Sequence, residues 1–179
     1  MIQEPQPHPT RPMIDGVTRM PMRGLLLLVA LQTVALAVIL AVSGALEGGL
    51  SLVHSLLIPP LVSFVLIVAQ PELPGSRPLR VLGAYVVTGI LGIGLSVLPF
   101  PGTVLGVIAG ALTLFMFYVL GVFHGPAFGV PFAAIMAGYV LSDAPKAFGI
   151  LMIYTVVVIG MAIATNRLLG YRSYPDKWW

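Results

Sequence analysis

The chain has 179 residues, of which 58% are hydrophobic and only 8% charged. Soluble domains carry roughly 25% charged residues, so a soluble globular fold is excluded and an integral membrane protein without a sizeable soluble domain is implied. The formal charge of +3 does not signal nucleic-acid binding, because the basic residues cluster at the ends of apolar runs, and with no cysteine there are no disulfides, thiolate ligands or thiol nucleophiles.

Residues 1–23 are polar and Pro-rich, with Arg11, Arg19 and Arg23. They read as a disordered cytoplasmic arm rather than a signal peptide, because the apolar run that follows is too long for a signal core. That run, 24–43, carries no charge and is long enough to cross about 30 Å of hydrocarbon. A turn with Glu47, Gly48 and Gly49 leads to a second span, 50–70, which holds His54 and an expected interruption at Pro59-Pro60. Pro71 to Pro78 is a loop by its turn residues. The third span is 80–98, Pro99 to Gly102 is a tight turn, and the fourth span is 103–123.

His124-Gly125-Pro126 then breaks the apolar pattern. Proline lacks a backbone donor and glycine weakens a helix interior. In lipid the freed groups need partners in protein or in a water-lined cavity, and an ionisable residue at membrane depth is a functional-site candidate. A short apolar segment, 127–142, follows, then an Asp143 to Lys146 turn and a last span from Ala147 to about Ile163. Residues 24–169 form the transmembrane domain, and 170–179, ending in Trp178-Trp179, a cytoplasmic interfacial tail.

Basic residues sit before the first span, after the second (Arg77, Arg80) and after the last (Arg167, Arg172, Lys177). Placing all three groups in the cytoplasm requires 127–142 to cross, which gives six crossings. A re-entrant half-helix at 127–142 would give five and put the C-terminus outside. The fold class is therefore all-α and polytopic. A shift of 66 residues pairs Pro60 with Pro126, Arg80 with Lys146 and Gly83 with Gly149. If this repeat is real, the halves are inverted, with two interrupted helices near the midplane whose N-termini after Pro60 and Pro126 offer free N–H groups to an anion.

His124-Gly-Pro, the loop from Ala69 to Arg80 and the closing run from Asn166 through Tyr174-Pro175 and Trp178 resemble, in their order and spacing, the HPP family of membrane proteins over roughly 50–179. The family's first proline is Gly125 here. Its two-serine motif reads Pro59-Pro60-Leu61-Val62-Ser63, and its glycine-histidine pair reads Ala84-Tyr85. The resemblance implies a transporter, and chloroplast members point to nitrite.

His124 has two readings: it lines a permeation path, titrating near physiological pH, or it is a C-cap serving freed carbonyls. Ser63, Tyr85 and Asn166 are the other uncharged polar groups a pore could use. Tyr85 also reads as a belt aromatic near a membrane end, and Ser63 as bonded to a preceding carbonyl. Phe64, Phe128 and Phe132 are either an apolar constriction or plain packing. Gly106 and Gly110 suit close helix contact, including contact with a second copy.

The spans carry no Asp or Glu, which argues against carboxylate-based ion coupling. No cluster suits a metal and no glycine loop suits a phosphate, so neither an enzyme nor a cofactor is expected. The expected function is a cell-membrane channel or transporter for a small inorganic anion such as nitrite or nitrate. Its permeation residues are His124, Gly125, Pro126, Phe128, Pro60, Ser63, Phe64 and Tyr85, and its partners the bilayer and the anion, with a homo-oligomer left open. The alternative is a non-transporting scaffold whose Pro-rich arm docks a partner.

Overall fold

The computed structural model describes residues 54–170 and 174–179, with six isolated positions of a helical stretch between 26 and 37. The arm 1–23 and all but those positions of the expected first span lie outside the described residues. The described part is helical: α1 (His54–Ala69), α2 (Pro78–Ser96), α3 (Gly102–Leu120), α4 (Gly129–Ala137) and α5 (Ala144–Leu168), with single 3-10 turns at Pro74–Ser76 and Gly125–Phe128. Of these, α2, α3 and α5 are long and apolar enough to cross a membrane, so the chain is a multi-pass membrane protein in contact with lipid.

Proline sets the helix starts. Pro78 and Pro145 open α2 and α5, and Pro101 caps α3. At these positions the missing N–H is one the helix would leave unsatisfied anyway. Glycine sets two stops: Gly121 and Gly138 end α3 and α4 with φ of 64° and 65°. A left-handed turn there costs a side-chain-free residue little.

Close approaches give the helix directions. A methyl group added at Gly83 would meet Val122, and one at Gly92 would meet Pro131 and Ala134. The stretch from 122 through α4 therefore runs parallel to α2. The same test pairs Gly102 with Ile135 and Gly106 with Phe132, so that stretch is antiparallel to α3. It lies alongside α2 from Gly83 to Gly92 and alongside α3 from Gly110 back to Gly102. Part of it is extended, and an extended chain rises about twice as far per residue as a helix. α5 then returns, with Leu151 and Phe148 beside Gly89 and Asn166 beside Ile67 of α1. The ends of α1, α3 and α5 and the start of α2 share one side, the loop side.

Three expectations are corrected. Pro59 and Pro60 do not interrupt a helix, because α1 continues through both. They remove two intrahelical donors, which membrane helices tolerate when neighbours re-satisfy the backbone. The Ser63 hydroxyl lies 3.1 Å from the Pro59 carbonyl, and the Pro59 ring packs towards Gly129. The pairing of two breaks across a 66-residue shift therefore does not hold, although the matched segments run in opposite directions, and no helix begins after Pro60. Gly106 and Gly110 serve close packing within the chain, as expected: Phe132 lies against both and Phe128 against Gly110. Finally, α5 begins at Ala144 and extends to Leu168, because Asn166 and Arg167 find partners in the fold instead of ending the helix.

Candidate functional site

The break after α3 begins before the histidine. Gly121 takes the left-handed conformation, and both it and Val122 donate to the Phe117 carbonyl. That closes the helix end within the chain. The backbone then extends, with His124 at φ −141° and ψ 107°, which swings the imidazole inward. Gly125 and Pro126 open the following 3-10 turn, and Ala127 N–H donates to the His124 carbonyl at 3.2 Å. His124 is thus not a C-cap, since α3 is closed three residues earlier.

The imidazole is 1% exposed and both ring nitrogens are engaged. Nδ1 lies 2.7 Å from the Gly75 carbonyl in the loop between α1 and α2. A carbonyl only accepts, so Nδ1 carries a proton. Nε2 lies 2.7 Å from the Ser63 hydroxyl, and the same oxygen lies 2.6 Å from the Tyr85 hydroxyl. The Tyr85 and His124 rings sit 6.0 Å apart at 56°. Four pieces of chain thus meet at one buried polar cluster: α1 through Ser63, α2 through Tyr85, the break through His124 and the loop through Gly75.

Tyr85 is the eighth residue of a 19-residue helix, about 10 Å from its loop-side end at 1.5 Å per residue. That is roughly a third of the helix length. Tyr85 is fully buried, not a belt aromatic.

The other expected residues scatter. Phe64 is a core side chain and Pro60 is buried within α1. Phe128 and Phe132 lie 5.4 Å apart with their rings tilted at 56°, and Phe128 reaches Gly110 of α3. Gly125 is exposed with open space beside it, and Pro126 is half-buried. Asn166 donates to the Ile67 carbonyl at 3.3 Å, while its Oδ1 is buried without a hydrogen-bond partner. The side chain of His54 lies outside the described residues.

Sequence reasoning missed the loop carbonyl and what supports it. Gly75 is required where it stands, because a Cβ would sit 2.9 Å from the Phe123 carbonyl oxygen. The adjacent Ser76 carbonyl accepts from the Tyr174 hydroxyl at 2.6 Å. Leu79 N–H donates to the Trp178 carbonyl, and Arg77 to that of Trp179. The Arg80 guanidinium lies 5.9 Å from the Trp179 ring centroid. Backbone carbonyls carry no sequence signature, and only the glycine hinted at a close approach.

A model of the HPP transmembrane region matches residues 17–175. The chain belongs to the HPP transmembrane family. The match reaches well upstream of residue 50, where the recognisable motifs begin, and includes both Gly75 and His124. No curated protein and no solved structure matches the chain.

Proposed function

We propose that this HPP-family protein moves a small inorganic anion, nitrite or nitrate, across the cell membrane. The observation that carries the reading is the buried imidazole of His124, held between the Ser63 hydroxyl and the Gly75 carbonyl at a break in the membrane domain. An ionisable group at such depth costs stability, and its default explanation is function. Two hydroxyls and an N–H-bearing ring are donors suited to an oxyanion. Within the described helices no Asp or Glu is present, so nothing repels an anion there.

On this reading the described conformation is closed. The imidazole and both hydroxyls are bonded to protein, and an arriving anion would take over donors now spent inside the cluster. Six crossings complete the topology, with the loop side, the N-terminus and the tail in the cytoplasm, where Arg77, Arg80 and Arg167 favour that orientation. The chain acts without a cofactor and catalyses no reaction.

Uptake of nitrite and nitrate by proteoliposomes tests this, with empty liposomes and His124→Ala as comparisons. Uptake by the wild type and its loss in a folded variant support the reading; no uptake by the wild type rejects it. The bonding of both His124 ring nitrogens inside the protein favours a second reading, a non-transporting scaffold in which the cluster is a structural pin. That reading requires the variant to lose stability while the wild type moves no solute.

A further inference from the structure

Counting protons in the cluster leads beyond passage of an anion. The Ser63 oxygen has three neighbours: Pro59 O at 3.1 Å, Tyr85 Oη at 2.6 Å and His124 Nε2 at 2.7 Å. A serine hydroxyl has one proton to give and two lone pairs to receive. With a neutral imidazole, Nδ1 holds the ring's proton for Gly75, so Nε2 must accept the Ser63 proton. The Pro59 carbonyl then faces an oxygen with nothing to donate. With an imidazolium, Nε2 donates to Ser63, Tyr85 donates to the other lone pair, and the Ser63 proton turns to Pro59. All four contacts are satisfied only in that state.

Among the described residues the positive charge has no counter-charge. α1 from 55 onward, α3 and α4 hold no charged residue. On α2, Arg80 lies against Trp179. In the loop, Glu72 is exposed and Arg77 is bonded to the tail. On α5, Arg167 is bonded to the Tyr174 carbonyl, while Asp143 and Lys146 sit at its opposite end. In the tail, Tyr174 is bonded to Ser76, and Asp176 lies beside Lys177 N–H. None of these side chains is bonded to the imidazole. A buried unpaired charge is costly, and a small anion beside the ring would offset it.

We infer that His124 is a proton carrier: Nε2 takes up one proton together with one anion, and the pair crosses as a neutral unit. The Ser63 hydroxyl turns from Nε2 to the Pro59 carbonyl as the proton arrives and returns as it leaves. Within the protein only the Nε2–H bond is made and broken; the proton is taken from hydronium on one side and returned to water on the other. The inference rests on the anion-transport reading of the same site.

The test uses the full chain in liposomes loaded with a pH-reporting dye, with nitrate as the probe because it stays ionised throughout. Coupling predicts internal acidification in step with nitrate entry. It predicts a rate that rises up to about tenfold per unit of external acidification and does not respond to an imposed potassium diffusion potential. Nitrate entry that follows the potential without acidification overturns the coupling and leaves the anion reading standing. No nitrate entry at all overturns both. A second measurement needs no flux: with His8 and His54 replaced by Gln, the ring nitrogens of His124 are followed by ¹⁵N NMR. Conversion from the Nδ1–H tautomer to imidazolium on adding nitrate supports the carrier, and a neutral ring with or without nitrate rejects it.

Discussion

Tyr174 donates its hydroxyl to the Ser76 carbonyl at 2.6 Å, and the carbonyl one residue back, that of Gly75, holds His124 at 2.7 Å. The tail therefore supports the cluster through two neighbouring carbonyls of one 3-10 turn. Tyr174→Phe removes one buried bond and is expected to cost about 1 kcal/mol. Thermal unfolding in detergent measures that cost. Slower anion uptake at a temperature where the variant remains folded measures its reach to His124.

The same side chain carries a pH signature. Burial, helped by the negative charge of Asp176, raises the Tyr174 pKa above its ordinary value of 10.0. The folded state therefore keeps the phenol neutral at pH values where the unfolded chain ionises. Its stabilising contribution is complete below about pH 10 and is lost as pH rises further. Unfolding followed from pH 8 to pH 11 should show the wild type losing stability at the alkaline end more steeply than Tyr174→Phe.

Gly92 and Gly94 make a controlled pair on α2. A Cβ at Gly92 would lie 2.5 Å from Pro131 Cα, a backbone atom, whereas at Gly94 it meets nothing within 4 Å. Gly92→Ala is expected to cost about 1–3 kcal/mol by overpacking. Gly94→Ala should be neutral or mildly stabilising, by up to about 1 kcal/mol. Equal melting temperatures for the two variants would contradict the close α2–α4 packing.

Ser63 is the hub of the cluster, so its removal should not behave as a single lost bond. Ser63→Ala strands both Nε2 of His124 and the Tyr85 hydroxyl, at about 1–3 kcal/mol for each unsatisfied group. Tyr85→Phe strands only a lone pair and should cost less. In the double variant the two costs should fall short of additivity, because Tyr85→Phe removes one of the groups that Ser63→Ala strands. A double-mutant cycle on melting measures the coupling.

How much of this was readable in the chain differs from residue to residue. The helical class, the 71–78 loop, the Pro99 to Gly102 turn and the break around His124 follow from hydropathy and from proline and glycine chemistry. Those signals are local. Ser63, Tyr85 and His124 were visible as scarce polar groups in apolar runs, but nothing in the spacing says that they touch, because 61 residues separate Ser63 from His124. The reading of Pro59-Pro60 as a break failed for a physical reason. Proline weakens a helix, and whether the helix survives depends on the neighbours it packs against, here Gly129. The break at His124 was placed late because Gly121, inside an apolar run, looks like any small packing residue until its φ is known.

The contact between tail and loop joins groups 98 and 102 residues apart. A membrane chain is synthesised and inserted from its N-terminus onward, so the α1–α2 hairpin enters the bilayer long before residues 174–179 exist. During that interval the Gly75–Ser76 turn lacks the Tyr174 hydroxyl, and the second residue of α2, Leu79, lacks the acceptor that Trp178 later supplies. The support of the cluster around His124 is thus finished late in biogenesis, and a nascent chain stalled before Tyr174 would lack the bond that fastens the Gly75–Ser76 turn.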